Sequence, residues 1–468
     1  MYTRRLIQAA RLSMILAFTS TVAFSQSVIS VSQKGIVPND NKDDADKINQ
    51  LIASAPANST LLFSDGTYNI GSPIILKSNI TIKGTNPNTV IFRQTGSIAN
   101  WQKNSAQGII TTSQNIVNDN VHVTNITVKG IYTTPISEAG SGGKGGICMR
   151  NCTNSSVKNV STSDTWHGVA FYDNKGNAKT GNLIENAIVT RALSNSQPGN
   201  SGRPRGILMN SPYGVVKGCT SSNSGTGYFL GGTGIEISDC KALNWTVDNG
   251  YYIMVENCVV RDCQAITGSS SNQGKGSGFT IAYQKGGLVE NCKAQNCGNY
   301  GFRIHVPQSN LTLRNNIATN CGIGFGIENA SHPYPEMCDN LQFIGNQAIG
   351  NNLQGFFFRQ MMNSKVENNT AKNNNQKGIN ARNRGAITLQ NYTYGNIIED
   401  NVCEDTQTKK TQLFGLYDYN KGNYQKAAVQ QNNTLMRSAT KATNNAANAI
   451  NVVPNTIKHN SKFGQDYY

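Results

Sequence analysis

A four-residue phrase recurs through most of this 468-residue chain, and its repetition limits the possible folds more than any other feature. Each copy has an aliphatic or aromatic residue, a second variable residue, then Asn, Asp or Gly, and finally Cys or Asn. The copies are Val216–Cys219, Ile237–Cys240, Val255–Cys258, Val289–Cys292, Leu313–Asn316, Phe343–Asn346, Val366–Asn369 and Ile398–Asn401. A second phrase begins with Gly and places large apolar residues one and three positions later, as in Gly301-Phe-Arg-Ile-His305. A period of two is typical of a strand with one buried face.

The two phrases predict a parallel β-helix, a solenoid of short strands. The copies recur at intervals of 18 to 34 residues with no helical pattern between them. Coils stack at the spacing of strands in a sheet, so equivalent side chains lie above one another. An aromatic stack is therefore expected from Phe279, Phe302, Phe325 and Phe356. The last position of the first phrase predicts inner ladders of Cys and Asn. The odd number of cysteines, 11, favours buried thiols, although stacked coils leave disulfides open.

Composition excludes several classes of protein. Only 14% of residues are charged, against about 25% in average globular chains, which excludes a coiled coil or long helical bundle. The net charge is nevertheless +15, which favours an acidic partner. The basic residues are scattered and no nucleic-acid-binding motif is present. We therefore expect an anionic polysaccharide and no nucleic acid as the partner.

The N-terminus predicts export. Three arginines precede the apolar run Met14–Phe18, and the small residues Ala23 and Ser25 mark a cleavage site, so residues 1–25 are interpreted as a signal peptide. The run is too short to span a bilayer, and no later segment approaches about 20 apolar residues. The expected location is secreted or periplasmic, with no membrane association.

The rest of the chain is interpreted as one domain. Residues 26–435 are expected to form the β-helix, with a capping helix at about 43–54. Within that helix one face is apolar, and its members are Ala45, Ile48, Leu51 and Ile52. Residues 436–468 lose the pattern and are expected to form a C-terminal strand or tail.

Two segments resemble a known superfamily. The opening, from Gly35 through Asp43-Asp44 to Phe63-Ser-Asp-Gly-Thr-Tyr68, resembles the start of pectate-lyase-like β-helix proteins, an opening that mannuronan C5-epimerases share. Asn299-Tyr-Gly-Phe-Arg-Ile-His305 is similar to the Tyr-Gly-Phe-Asp-Pro-His-Glu segment of those epimerases. The resemblance implies an all-β, right-handed parallel β-helix that acts on polysaccharides. Handedness comes from the resemblance, because the repeat alone does not fix it.

The resemblance also implies site residues. Tyr300 and His305 match the family's acid/base pair, and Glu328 on the next coil matches its neighbouring carboxylate. The chain departs from the family where Arg303 replaces Asp, and Ile304 and Val306 replace the following Pro and final Glu. These departures weaken the match to an epimerase.

Alternation independently identifies an outward-facing cluster. Charged residues are rare in this chain, yet adjacent coils place several of them at outward positions: Arg303, His305, Glu328, Arg359 and Arg382. Long insertions between coils should border the same face, with Arg205 beside one of them. Arg150, Arg205, Arg359 and Arg382 are predicted to bind substrate, and Tyr300, Arg303, His305 and Glu328 to be catalytic.

The residue types favour β-elimination on a uronate polymer. Removal of the C5 proton requires a cation to neutralise the adjacent carboxylate, here Arg303, and a base, here His305. Loss of the glycosidic oxygen then makes a lyase, whereas return of the proton to the other face makes a C5 epimerase. Arg303 in place of Asp favours the lyase. A β-helix glycoside hydrolase and a non-catalytic carbohydrate-binding protein are the remaining alternatives.

No cofactor or metal is predicted. Calcium, which many β-helix lyases use, lacks a supporting acidic cluster. The sequence does not indicate the oligomeric state.

Overall fold

In the residues that it describes, the computed structural model has three long parallel sheets and one α-helix. It describes residues 27–97, 101, 108–131, 144–172, 179–192, 204–268, 276–282, 285–305, 307–328, 337–377, 385–390, 393, 395–409, 411–412, 414–419, 429–431, 434–436 and 456–458. The α-helix, Ala45–Ser54, buries Ala45, Ile48, Leu51 and Ile52. The predicted capping helix is thereby confirmed. A 3₁₀ turn, Val31–Lys34, precedes it.

The first sheet contains one strand, sometimes two, from each coil. Its strands are Val28–Ser30, Ser59–Phe63, Ile80–Gly84, Val121–Thr124, Ser156–Lys158, Leu183–Glu185, Val215–Lys217, Glu236–Ser238, Cys258–Arg261, Lys285–Glu290, Ser309–Arg314, Cys338–Asp339, Gln342–Ile344, Met361–Met362, Lys365–Glu367, Ile397–Glu399 and Thr456–Lys458. Beside it, Asn118–Asp119 pairs with Cys152–Thr153 in a small separate sheet.

The second and third sheets complete each coil. The second sheet contains Gly66–Ile70, Val90–Gln94, Thr127–Lys129, Ser161–Thr165, Ile188–Ala192, Thr220–Ser222, Lys241–Leu243, Gln264–Gly268, Lys293–Cys297, Ile317–Thr319, Gln347–Ile349, Thr370–Lys372 and Val402–Glu404. The third contains Ile74–Leu76, Gly108–Thr112, Gly145–Arg150, Val169–Tyr172, Arg205–Met209, Thr226–Leu230, Tyr251–Ile253, Phe279–Ile281, Tyr300–His305, Ile323–Glu328, Phe356–Arg359, Gly385–Gln390, Phe414–Tyr419, Val429–Gln431 and Thr434–Met436. Only the last two join antiparallel.

The third position of the recurring phrase is a left-handed turn residue. Asn291, Asn315 and Asn368 have φ of 54°, 56° and 55°, and Gly345 takes the equivalent place with φ 65°. Gly adopts this conformation at no steric cost, and Asn and Asp tolerate it better than other residues. The turn bends the chain from the first sheet into the second, which explains why the phrase permits only Asn, Asp or Gly there.

The fourth position points inward and forms a ladder. Asn346 shows the pattern: its side-chain amide donates to the carbonyl of Leu313 at 2.9 Å, and its backbone N–H donates to Oδ1 of Asn369 at 2.8 Å. The ladder consists of Cys219, Cys240, Cys263, Cys292, Asn316, Asn346, Asn369 and Asn401. All 11 cysteines are buried and unbridged, as the sequence favours.

One copy of the phrase was assigned to the wrong register. Val260, not Val255, pairs with Ile237 and Val289, so Cys263 occupies the ladder. Cys258 instead lies opposite Gly287. Both Val255–Cys258 and Val260–Cys263 fit the phrase, and the strand pairing selects the second.

The predicted aromatic stack is confirmed and is longer than expected. Phe279, Phe302, Phe325 and Phe356 lie parallel, with ring centroids 4.7 to 4.9 Å apart. Tyr251 and Tyr228 extend the stack at 4.5 and 4.6 Å. Burial of each ring is worth roughly 1.5–3 kcal/mol, so the stack stabilises the back of the third sheet.

Candidate functional site

Ion pairs are present on the outer faces of the first and second sheets, and the second sheet also carries Arg93, Lys129, Lys241 and Lys293. On the first sheet Lys158 pairs with Glu185 at 3.3 Å, and on the second sheet Lys372 pairs with Glu404 at 2.7 Å. Further ion pairs on these two faces join Arg261 and Arg314 to Glu290, and Arg191 to Asp164. The third sheet has four arginines, Arg150, Arg205, Arg303 and Arg359, and Glu328 is its one carboxylate among the described side chains. The described part of this face is therefore basic.

Each strand of the third sheet offers three outer positions. In Tyr300–His305 these are Tyr300, Arg303 and His305, which we call the first, middle and last positions. Gly301 breaks the alternation, because a Cβ there would lie 2.7 Å from Cβ of Ala318 in the interior. Gly301 and the fully buried Phe302 thus both face inward, and Tyr300 is turned outward.

Tyr300 is a buried phenol on this outer face. It is 3% exposed and packs with Ile323 and Phe357. Its ring covers Gly326, where a Cβ would approach the ring to 2.3 Å. Burial raises the pKa of Tyr300 well above its usual range; the charge of Glu328 raises that pKa further, and those of Arg303 and Arg359 lower it. The phenol therefore remains protonated at neutral pH.

Arg303 and Glu328 form a half-buried ion pair beside Tyr300. Nε of Arg303 lies 2.9 Å from Oε2 of Glu328, and the two side chains are 12% and 22% exposed. His305 is the register partner of Glu328 on the adjacent strand, and it is partly exposed. The backbone carbonyl of His305 accepts a hydrogen bond from Nε2 of Gln308 at 2.5 Å.

Arg359 completes the cluster from the next strand. Its guanidinium lies 4.6 Å from the ring centre of Phe357, and its Nε donates to Oε1 of Gln390 at 3.3 Å. Among the described residues, the guanidinium of Arg359 therefore contacts an aromatic ring and an amide rather than a carboxylate. The structure brings together five residues predicted from sequence: Tyr300, Arg303, His305, Glu328 and Arg359.

Arg205 and Arg150 lie on the same face but far from this cluster. The strand of Arg205 is four strands from that of Tyr300, and the strand of Arg150 is six; at ~4.8 Å per strand these distances are about 19 and 29 Å. Each guanidinium is seated on an aromatic ring, at 3.7 Å from the centre of Phe229 for Arg205 and 5.1 Å from that of Tyr172 for Arg150.

Sequence reasoning missed His167. The backbone N–H of Arg205 donates to Nδ1 of His167 at 3.2 Å, and burial together with the charge of Arg205 lowers the pKa of this histidine to about 3. His167 precedes Gly168 just as Tyr300 precedes Gly301, and this shared position was the available signal.

The position predicted for Arg382 is corrected by the structure. Gln390, in the strand Gly385–Gln390, is the register partner of Arg359. Ile387 is the register partner of Phe356, so Ala386 takes the place of the leading Gly in this coil. The phrase that begins with Gly occurs instead at Gly378, and the sequence prediction followed that copy. Arg382 itself lies outside the described residues, as do most residues of the long insertions at both ends of the third sheet.

Two searches of the described residues were negative. They contain no group of three or more His, Cys, Asp or Glu side chains placed to hold a metal ion. No helix in them is long and apolar enough to cross a membrane.

Comparison with known proteins identifies the class. Residues 28–252 match a family described as rhamnogalacturonase A/epimerase, pectate lyase-like, and residues 205–352 match the right-handed beta helix region. None of the curated proteins is similar in sequence to this chain. The chain folds as a right-handed parallel β-helix, and slightly less than half of it matches the pectate-lyase-like family.

The solved structures that are similar to this chain are distant in sequence. The pre-mature gene product 12 of bacteriophage phi29 is 13% identical with a TM-score of 0.61, over 82% of this chain and 53% of that one. A thermostable α-1,3-glucanase from Streptomyces thermodiastaticus is 12% identical with a TM-score of 0.58, over 94% and 69%. A mannuronan C-5 epimerase A-module from Azotobacter vinelandii is 13% identical with a TM-score of 0.43, over 94% and 97%. The chain thus spans about half the length of the phage protein, and these likenesses concern the fold alone.

Proposed function

We propose that the protein is a secreted or periplasmic enzyme that cleaves an acidic, uronate-containing polysaccharide by β-elimination. One observation carries this proposal: Tyr300 and His305 flank Arg303 on a face whose described part is rich in cations and contains a single carboxylate. The matched family's description, which includes a rhamnogalacturonase and an epimerase, supports a polysaccharide as the substrate.

The arginines supply the stabilisation that proton removal needs. Loss of the C5 proton from a uronate places negative charge on its carboxylate, and preorganised cations in a partly dry site stabilise that charge. Arg359 is held by Phe357 and Gln390, with its remaining N–H groups available to a bidentate ligand. Arg303, paired with Glu328, adds a second positive charge beside it.

His305 and Tyr300 divide the proton transfers. The imidazole of His305 takes the C5 proton; the C–H electrons form the C4–C5 double bond, and the bond from C4 to the glycosidic oxygen breaks. The leaving oxygen takes a proton from Tyr300. The raised pKa of Tyr300 suits this assignment, because a protonated phenol donates and cannot accept without first ionising.

Hydrolysis is less well supported by the same face. Glycoside hydrolases commonly use two carboxyl groups about 5–10 Å apart. Among the described side chains of the third sheet only Glu328 provides a carboxylate, and Arg303 already binds it.

C5 epimerisation is the second candidate, and one observation favours it. Tyr300 and His305 occupy the first and last outer positions of one strand, with Arg303 between them. A sugar seated over Arg303 would have one group on each side, so a proton taken by His305 could be replaced from the side of Tyr300.

The test is incubation of the protein, from residue 26 onward, with a panel of polyuronates and other acidic polysaccharides. Elimination produces an unsaturated uronate that absorbs in the ultraviolet. Inverted uronates without cleavage, seen by proton NMR, would establish the epimerase, whereas new reducing ends without unsaturation would overturn both in favour of hydrolysis. No change in any polymer would contradict an enzyme of this substrate class.

The assignment of His305 needs its own control. We expect His305→Ala to abolish turnover while thermal unfolding is unchanged. His122→Ala removes the same side chain from the first sheet, where it bonds Ser156 and Asn120, and should leave the turnover of folded protein intact. Full activity in His305→Ala would refute the assignment.

A further inference from the structure

Gly326 is an exception among the middle outer positions of the third sheet. Its register partners are Arg303 on the preceding strand and Phe357 on the following one. From Ile75 to Thr388, it is the one glycine that the described strands place in this row. A glycine weakens a strand, because it loses more backbone freedom on folding than other residues and has no side chain to pack.

The backbone does not require a glycine at this position. Gly326 lies within the strand Ile323–Glu328, and its φ is outside the left-handed region that favours glycine. The ring of Tyr300 is what excludes a side chain, because a Cβ here would lie 2.3 Å from Cε1 and 2.8 Å from Cδ1 of that ring. The carbonyl oxygen of Phe357, 3.4 Å away, would leave room for it. The glycine therefore provides space for the phenol.

Apolar side chains hold the same ring on its other sides. Tyr300 is the register partner of Ile323, so its ring crosses to the next strand in order to cover Gly326. There it packs with Ile323 and Phe357, and the partly buried Leu353 packs against the same cluster. Only 3% of Tyr300 is exposed. Because the ring is enclosed in this way, an atom added at position 326 must displace it.

Resting on the proposed function, we infer that Gly326 is a positioning residue for the proton donor Tyr300. The missing side chain lets the phenol reach across the strand, and Ile323 and Phe357 fix it there. Proton transfer to the leaving oxygen needs a donor within about 2.6–3.2 Å. A misplacement of about 1 Å can lower a rate about 100-fold. Gly326 thus acts through the place of the Tyr300 hydroxyl and not through contact with the substrate.

The experiment adds one methyl group beneath the ring. In Gly326→Ala, Cε1 of Tyr300 must withdraw by about 1 Å to reach an ordinary van der Waals distance. We expect kcat on the polymer that the unmodified protein cleaves to fall about 10- to 100-fold. KM should change by less than about twofold, because the contact with Tyr300 that is lost acts only in the transition state.

Gly298→Ala is the matched control. It adds the same methyl group to the coil of Tyr300, at an exposed position where the nearest atom, the carbonyl oxygen of Gly268, would be 3.4 Å from the new Cβ. This variant should keep both kcat and KM.

A second background shows whether the effect passes through the hydroxyl. Tyr300→Phe keeps the ring and removes the proton that it donates. In this background Gly326→Ala should lower the residual kcat by less than about twofold, because the two substitutions act on one proton transfer and are not additive. The added methyl meets the same ring in both backgrounds, so the loss of thermal stability should be equal. A purely structural role of Gly326 would instead lower kcat by one factor in both.

Ile323→Ala provides a second variant in case Gly326→Ala does not fold. It removes a side chain that packs on the ring and introduces no clash, so the ring is released rather than displaced. The expected result is the same: a lower kcat at unchanged KM, and no further loss of kcat in the Tyr300→Phe background.

The outcomes separate this inference from the proposed function. If Tyr300→Phe loses turnover while Gly326→Ala or, where that variant does not fold, Ile323→Ala keeps full kcat, the proposed function stands and the inference is overturned. An equal fall in kcat with and without the hydroxyl, or a raised KM at unchanged kcat, also overturns it. If the unmodified protein changes no polymer, or if Tyr300→Phe keeps full turnover, the proton transfer assigned to Tyr300 falls, and the inference with it.

Discussion

At the scale of single residues, the proton on Tyr300 depends on charges from its own strand and from the next two strands. Glu328 raises the pKa of the phenol, whereas Arg303 and Arg359 lower it, and burial dominates all three. Tyr300 is in packing contact with Ile323 and Phe357, so a change of one distant charge leaves its position fixed. The two signs of charge can therefore be tested separately.

Glu328→Gln should lower the pKa of Tyr300, and Arg359→Ala should raise it. If Tyr300 acts as the proton donor, the alkaline limb of the pH dependence of kcat/KM follows its ionisation. That limb should move to lower pH in Glu328→Gln and to higher pH in Arg359→Ala, whatever the change in the maximal rate. Shifts in the same direction would show that a group other than Tyr300 titrates in this limb. If Tyr300 is the proton donor, Tyr300→Phe should lower kcat about 100-fold.

The sequence predicted which residues of the candidate site are neighbours more reliably than it predicted the packing that holds them in place. Alternation within a strand and stacking between coils determine that Arg303, His305 and Glu328 are neighbours. The same rules failed for Cys258, because the degenerate phrase occurs twice within a few residues and only strand pairing selects one copy. The close fit of Gly326 beneath Tyr300 depends on ring packing between strands, which no pattern along the chain contains.

At the scale of elements, the capping helix begins at an acidic residue that is poorly solvated. Asp44 is buried, and burial, followed by the charge of Asp40, raises the pKa of its carboxyl to about 6; the N–H of Asn69 opposes the shift. A carboxyl whose pKa is higher in the folded state stabilises the fold when protonated. That stabilisation is complete below about pH 4 and is lost as the pH rises through about 6.

Asp44→Asn should therefore stabilise the protein at neutral pH. In the native protein the backbone N–H of Asn69 donates to Oδ2 of Asp44 at 3.2 Å. The amide that replaces the carboxyl keeps an oxygen that accepts this hydrogen bond and avoids a buried charge. We expect the free energy of unfolding at pH 7 to rise by roughly 1 kcal/mol and to be almost unchanged at about pH 4. Denaturant titrations at both pH values measure this, and a loss of stability at pH 7 would mean that the helix N-terminus needs the charge.

The inner ladder is the second element whose contribution can be measured. Asn369 accepts from the backbone and side-chain N–H of Asn346 at 2.8 and 3.0 Å, and its own amide donates to Phe343 and Asn401. Asn369→Ala leaves several buried groups without partners and should cost about 2–3 kcal/mol. Asn368→Gly changes the adjacent residue while preserving its left-handed turn, so its effect should stay within about 0.5 kcal/mol. Equal destabilisation by both substitutions would mean that the turn, not the ladder, is responsible.

At the scale of the whole molecule, the proposed function separates binding from chemistry along the solenoid axis. The repeat was sufficient to predict the all-β fold and the aromatic stack, because each coil repeats one set of constraints, and the capping helix was predicted from its own apolar face. The repeat could not show which charged side chains pair between coils, such as Lys158 with Glu185 on the first sheet and Arg303 with Glu328 on the third.

Arg150 tests whether this face binds a polymer along its length. Its strand is six strands from that of Tyr300, about 29 Å away, so Arg150→Ala removes a contact made equally in the ground and transition states. Such a contact changes KM and leaves kcat unchanged. We expect a several-fold higher KM on long polymers and no change on oligosaccharides of four sugars, whereas Arg359→Ala should lower kcat on both. If Arg150→Ala lowers kcat irrespective of chain length, the substitution has altered the fold, and if it changes neither constant, the polymer does not extend to the first strands of the sheet.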